Sequence, residues 1–351
     1  MRNFFFCLSL LALSLSAATT AEQLFQTAIL PGAQQYFYSD DAALRANPLL
    51  SSLMSAEKSS DGLYSLPSSM AALFNMLKKA EAMELPVVKR SQLSIDWAGV
   101  LANPAALKKN LRYLAVLELD RLLPAQDIAA FIGKEAELIK QMGLECVFDG
   151  ELNMLRIADN KEPDASVLGV AFFDDAELLM LAPPELLSNI IVRVRNGLPV
   201  AAVSEKLLEA KAQVPADRQF YMLLLPDDNF QAAIQEQAPD VPATQMMEEL
   251  NTVCFSLQAA EKLNLQLSME FNNENNAASG KAMIIDGFIM GMLRMYITQQ
   301  LGAELPMLQT MESSLQGKQA IFTCALGAED FKLLIPFFQQ ISKSMVERFG
   351  P

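Results

Sequence analysis

Histidine is absent from the 351 residues of the chain. Imidazole is the side chain whose ordinary pKa lies closest to neutrality, so its absence removes Ser-His-Asp and Cys-His catalysis and imidazole metal sites. Carboxylate, lysine or tyrosine chemistry survives that exclusion, as does a role without chemistry. Basic residues are scarce: 27 Lys and Arg stand against 41 Asp and Glu, giving a formal net charge of -14 and a pI near 4.6. Binding to a polyphosphate backbone relies on Lys and Arg releasing counterions, so nucleic acid is not expected as a partner. Cysteine occurs four times and tryptophan once, and without a C-x-x-C pair neither zinc nor redox chemistry has a spacing to rest on. The Gly-rich phosphate loop, G-x-S-x-G and H-E-x-x-H are missing as well.

The first segment reads as an address. Arg2 precedes an apolar stretch from Phe4 to Leu15, and small residues follow in Ser16-Ala17-Ala18-Thr19-Thr20-Ala21. That order is the charged, apolar and small-residue sequence of a secretory signal peptide, too short to span a bilayer comfortably, with cleavage expected after Ala18 or Ala21. Cys7 lacks the preceding small residues of a lipoprotein signal, so no lipid anchor is expected. Three cysteines would then remain: Cys146, Cys254 and Cys324. Odd number and wide spacing argue against a disulfide framework. A Cys254 to Cys324 bridge stays open if their strands are neighbours.

With 52% apolar residues and this length, about two domains with ample core are expected. Gln34 to Tyr38 reads as a strand, and Asp40-Asp41 as the cap of a helix starting near Ala42. Helices are expected over Ser68 to Met83, Ala105 to Leu122 and Ile128 to Gln141, the last ended by Gly143, with a strand around Leu93 and Ile95. Asp149-Gly150 signals a tight hairpin between Leu144 to Phe148 and Glu151 to Ile157. Val167 to Phe173 and Glu177 to Leu181 repeat the arrangement around Asp174-Asp175. A helix from Pro184 follows, with Arg193 and Arg195 in its last turn and Asn196-Gly197 as its stop.

Residues 198–213 read as a connecting segment carrying a helix from Ser204 to Ala212. Beyond it, Val214 to Met222 lines up with Leu30 to Tyr38, and each strand leads to an acidic pair, Asp40-Asp41 or Asp227-Asp228, which reads as an internal duplication. Thr252 to Gln258 and Leu263 to Phe271 form an expected hairpin, Asn272 to Asn276 a polar loop, Ala277 to Leu301 a long helix apolar almost all round, and Gln319 to Ala325 a strand. A last helix, Ala328 to Phe349, is expected to kink at Pro336. The expectation is an α+β protein of two related modules of antiparallel strands packed against helices: signal peptide 1–21, first module 22–197, connecting segment 198–213, second module 214–351.

Few residues invite chemistry, and each has a structural explanation. Met283, Met290, Met292 and Met295 resemble soft-metal ligands, yet helical spacing points to core packing, and no His or nearby Cys completes a copper site. Gly287 and Gly291 allow close backbone approach, but Asp286 and Arg294 break the run, so a membrane span is not expected. Ser55-Ala56-Glu57-Lys58 fits S-x-x-K without the companion K-T-G. The acidic pairs can supply two carboxylates for glycoside hydrolysis, but they sit where helix caps and a turn need them. Asn272 to Asn276 lacks the Gly and distal Glu of an EF-hand loop. Trp97 with Tyr36, Phe37 and Tyr38 could form an exposed aromatic platform, although core is the commoner place. No catalytic, cofactor-binding or metal-binding residue is therefore assigned, and no cofactor is expected. The sequence favours an exported, periplasmic or extracellular, acidic, non-catalytic protein with a binding or scaffolding role and an envelope or extracellular partner. The alternatives are an exported carboxylate-dependent hydrolase acting on glycans, and association with an envelope protein through a sheet edge or apolar patch.

Overall fold

The computed structural model describes residues 21–51, 86–102, 111–121, 130, 133–141, 143–159, 162–173, 177–200, 203–228, 231–232, 249–301 and 305–332. Its strands are β1 (Gln35–Ser39), β2 (Val88–Asp96), β3 (Arg112–Leu119), β4 (Leu144–Asp149), β5 (Met154–Asp159), β6 (Glu162–Phe173), β7 (Leu178–Ala182), β8 (Phe220–Leu224), β9 (Leu250–Ala259), β10 (Leu263–Phe271), β11 (Glu312–Gln316) and β12 (Gln319–Leu326). They join in one 12-stranded sheet, ordered β11-β12-β10-β9-β8-β1-β2-β3-β7-β6-β5-β4. Every strand pair in it is antiparallel. The protein is thus mixed helix and sheet with an antiparallel sheet, as segregated hairpins and helices imply.

β1 and β8, far apart in sequence, pair at the middle of the sheet, with Phe37 opposite Met222 and Tyr38 opposite Tyr221. Outward from that pair, one side runs β1, β2, β3, then the hairpin β7-β6, and the other runs β8, β9, β10, then the hairpin β12-β11. The edge hairpin β5-β4 extends the first side only. Backbone bonds at the centre mirror each other: Leu225 N–H donates to Gln34 O at 2.7 Å and Asp40 N–H to Gln219 O at 2.6 Å.

The helices are α1 (Ala21–Thr27), α2 (Asp41–Ala46), α3 (Ala98–Ala102), α4 (Ala136–Gln141), α5 (Pro184–Arg195), α6 (Glu205–Gln213), α7 (Glu274–Gly280) and α8 (Gly291–Leu301), with a π-helical stretch over Lys281–Met290 joining the last two. Leu24, Phe25 and Ala28 of the α1 region and Leu187, Ile190 and Ile191 of α5 bury against Leu114, Val116, Met154 and Met180. Burying one such side chain stabilises by about 1.5–3 kcal/mol. On the second side, Ala277, Ile285 and Ile297 of the long helix meet Leu263, Met269, Phe271, Ala320, Phe322 and Cys324. Around β1 and β8, Leu207 and Ala210 of α6 close over Ile29, Tyr36, Leu223 and Leu225.

Several expectations change. The stretch expected as a helix over Ala105 to Leu122 contains strand β3. Leu114 and Val116 bury on one face while Ala115 pairs in register with Leu93 of β2 and Leu181 of β7, so apolar residues on both faces of a central strand imitate helical spacing. The β4–β5 turn is longer than the two-residue Asp149-Gly150 type: Asp149 pairs with Met154, and the positive φ of 53° falls on Asn153. Asp149 Oδ1 accepts from the Glu151 and Leu152 N–H groups, which makes Asp149 the residue that starts the turn. The expected loop Asn272 to Asn276 already contains the first turn of α7, because Asn273 caps it by accepting from Asn276 N–H at 2.9 Å. β11 was not foreseen, since its sequence Glu-Ser-Ser-Leu-Gln has little apolar character and lies at the sheet edge.

A Cys254 to Cys324 bridge is overturned. Both thiols are free, β10 lies between their strands, and Cys254 packs near Tyr221 while Cys324 belongs to the core under the long helix. Met283, Met292 and Met295 are exposed with Phe288, and only Met290 of the four methionines packs against that core. The helix turns one side to β10 and β12 and the other to solvent, so its all-round apolarity does not mean all-round burial. The expected helices over Ser68 to Met83 and beyond Lys332, together with Ser55 to Lys58 and Asp174-Asp175, lie outside the described residues, whereas the expected helix Ile128 to Gln141 ends in α4 (Ala136–Gln141) just before Gly143 with its φ of 77°.

Candidate functional site

A concave feature lies beside the central strand pair. Successive residues of a strand face opposite sides, so Tyr36 and Tyr38 of β1 and Tyr221 of β8 share one face, with α6 above them. Tyr38 and Tyr221, direct partners across the ladder, stack with ring centroids 5.1 Å apart and planes 23° apart. Beside the stack lies a cavity of about 290 Å³ lined by Tyr38, Asp40, Lys211, Pro215, Asp217, Arg218, Gln219 and Tyr221 among others. A small polar recess on the other side of Pro215 reaches Cys254, Ser256, Ser268 and Glu270.

Lys211 reaches this place because it lies in the last turn of α6, whose Ser204 cap accepts from Leu207 N–H at 3.1 Å. Its Nζ donates to the Tyr36 hydroxyl at 3.2 Å and sits 4.6 Å from the Tyr36 ring centroid. Among the described residues no carboxylate pairs with it, and burial pushes its ammonium below the usual lysine range. The Tyr36 hydroxyl donates in turn to Gln92 Oε1 at 2.8 Å, and the Gln92 amide donates to Phe25 O and to Ala28 O at 3.0 Å. Lys211 therefore ends a buried chain that ties α6 to β1, β2 and the end of α1. Burial also raises the phenols: Tyr36 lies far above the ordinary tyrosine range and Tyr221 is pushed up to about 12.

Arg218 precedes β8. Its Nη2 donates to Gln266 Oε1 at 3.1 Å and its Nη1 lies 3.6 Å from Asp217 Oδ1. Its Nε is a fully buried nitrogen with no hydrogen-bond partner among the described residues. The two carboxylates of the cavity have other engagements: Asp40 Oδ1 accepts from Ala43 N–H at 2.9 Å as the cap of α2, and Asp217 Oδ2 accepts from Gln258 Nε2. The opposite end of the central pair is arranged alike. Gln34 Nε2 donates to Asp227 Oδ2, and Gln34 Oε1 accepts from Trp97 N–H at 2.6 Å just as Gln219 Oε1 accepts from Ala259 N–H at 2.7 Å.

Of the residues singled out in the sequence, Asp40 and Asp41 begin α2, and Asp227 begins the helical turn in which Gln231 N–H bonds its carbonyl at 2.9 Å. Because β1 and β8 are antiparallel, the acidic pairs that follow them leave at opposite ends of strands about 17 Å long. They do not form one pair of facing carboxylates. The proposed aromatic platform is divided by strand alternation: Trp97 Nε1 donates to Gln35 on one face at 2.9 Å, while Tyr36 and Tyr38 lie on the other. Asn272 and Asn276 each donate their amide to Glu249 Oε2 at 2.9 Å, so these amides serve the start of α7. Lys211 and Arg218 were not picked out, since nothing local marks a lysine in an ordinary amphipathic helix or an arginine before a strand.

Among the described residues no group of three or more Cys, Asp and Glu side chains is placed to hold a metal ion. Nor is any helix among them long and apolar enough to cross a membrane. Comparison with protein-family models, with curated proteins and with solved structures gives no match.

Proposed function

We propose that this protein is exported and acts by binding, in the cell envelope or outside the cell, rather than by catalysis. The observation that carries the reading is the cavity beside the Tyr38–Tyr221 stack, polar, about 290 Å³ in volume, and formed where the two halves of the chain meet. That size suits a small ligand or the end of a larger envelope or extracellular partner. The acidic surface implied by a net charge of -14 favours solubility and disfavours nucleic acid.

The halves are two related α+β modules, residues 22–197 and 214–351, joined through 198–213 and derived by duplication. Support comes from the matching strand orders outward from β1 and β8 and from the like contacts of Gln34 and Gln219. The contacts favour aligning Gln34 with Gln219, one residue away from the alignment read in the sequence. A binding site at a module junction is common in folds built this way.

Intact mass of the protein recovered outside the cytoplasm tests export: loss of residues 1–18 or 1–21 is expected, and an uncleaved chain confined to the cytoplasm overturns it. Native mass spectrometry of the same material tests binding, with a co-purifying small molecule or protein partner expected. Turnover of a glycan panel that Asp40→Asn abolishes would replace the binding role by hydrolysis.

A further inference from the structure

We propose that the cavity beside Pro215 binds a small anion, a carboxylate or phosphate group held between the Lys211 ammonium and the Arg218 guanidinium. This rests on the cavity being a binding site and names the chemistry of its ligand. Four charged side chains line the cavity, Lys211 and Arg218 against Asp40 and Asp217, and their state of pairing differs. Asp40 is occupied as a helix cap and Asp217 by Gln258 and Arg218, so each carboxylate has donors of its own. The cations are undersupplied. Among the described residues Lys211 has a phenol oxygen and an aromatic face in place of a carboxylate, and the Arg218 guanidinium has the neutral Gln266 amide at 3.1 Å and its sequence neighbour Asp217 only at 3.6 Å.

A charged donor that faces neutral acceptors gains most from an acceptor bearing negative charge. An anion in the cavity supplies acceptor oxygens to Lys211 and Arg218 together. It also offsets the burial that disfavours the Lys211 ammonium. The net charge of the chain does not oppose this. Over about 8 Å at physiological ionic strength, distant surface carboxylates are largely screened, whereas two cations lining the cavity act at contact distance. Tyr38 and Tyr221 line the same cavity, so the body of an organic anion meets aromatic surface there while its charged end meets Lys211 and Arg218.

The test is calorimetric titration of the full chain with inorganic phosphate and with benzoate, which distinguishes a bare phosphate site from one for aromatic carboxylates. Saturable binding of at least one is expected, weakened at least about tenfold by Lys211→Met and by Arg218→Gln, each removing a charge-assisted hydrogen bond. Lys332→Met, at an exposed lysine paired with Glu329, should leave affinity unchanged. No binding of either anion, or equal binding by wild type and both variants, overturns the proposal. If the variants lose their near-ultraviolet circular dichroism, wild-type protein labelled with 13C at lysine Cε decides: a Lys211 resonance that phosphate and benzoate both leave unmoved overturns it. An uncharged molecule found in the cavity overturns the anion assignment and leaves the binding role standing. Failure of the binding role itself would show separately, as absence of any co-purifying ligand or partner together with glycan turnover.

Discussion

Lys211 donates to the hydroxyl of Tyr36 at 3.2 Å across a sequence separation of 175 residues. The same hydroxyl donates to the buried Gln92, so one oxygen links α6 to strands β1 and β2. Tyr36→Phe deletes that oxygen, leaving the Gln92 carbonyl without its donor and Lys211 without its acceptor. Unpartnered buried polar groups cost about 1–3 kcal/mol each. The variant should lower the unfolding free energy obtained from urea titration by an amount in that range, and an unchanged value would show that the chain of bonds carries no stability.

Gly280 ends α7 against the fully buried ring of Phe271, and a Cβ built there overlaps the ring. Alanine raises helix propensity by about 1 kcal/mol, but forcing extra volume into a packed core costs about 1–3 kcal/mol. Gly280→Ala should therefore be net destabilising. At Gly291 the nearest neighbour of an added Cβ is Asp286 O at 3.7 Å, an ordinary contact, so Gly291→Ala should stabilise by up to about 1 kcal/mol. Thermal unfolding of both variants checks the pair, and the same sign in both would contradict it.

Cys254 and Cys324 are each pushed up to about 11 by burial, from an ordinary value near 9. The unfolded chain loses these thiol protons first as pH rises, so folding holds protons that unfolding releases. Their contribution to stability is full below about pH 9 and is lost as pH rises toward 11. Lys211, with its lowered value, works in the opposite sense, since the unfolded chain keeps that proton longer. Urea titrations at pH 8 and pH 10.5 should show falling stability, and a Cys254→Ala, Cys324→Ala double variant should show a shallower fall. An equal slope in the two proteins would remove the thiols from the account.

Gln34 and Gln219 accept from the backbone N–H groups of Trp97 and Ala259 in like positions of the sheet. Gln34→Ala and Gln219→Ala should each cost about 1–3 kcal/mol by leaving one backbone donor without its partner. Gln34→Ala also strips a donor from Asp227 and should be the more costly. Denaturation midpoints give the order, and a neutral effect at either position would break the correspondence between the two ends.

Much of the local structure was legible. Ser204 before an amphipathic run, Pro184 opening a helix that Gly197 closes with a φ of 68°, and the alternation of Leu263 to Phe271 state their elements directly. The misreading of β3 has a physical source: a strand apolar on both faces carries no period of two. The site was less legible still. Asp40 was read correctly as a cap, but its place beside Lys211 and Arg218 follows from pairing β1 with β8, which no short-range pattern encodes.

The sequence alone determined composition-level limits: without histidine, imidazole chemistry was excluded, and with -14 net charge, polyphosphate was disfavoured. It also determined most helices, caps and hairpins, because these depend on residues within a turn or two of one another. Only the tertiary structure decided that Cys254 and Cys324 stay apart, that Trp97 and Tyr38 face opposite sides, and that Lys211 and Arg218 share a cavity. Those outcomes depend on strand order and register, where one inserted strand separates two thiols and one residue of register turns a side chain to the other face.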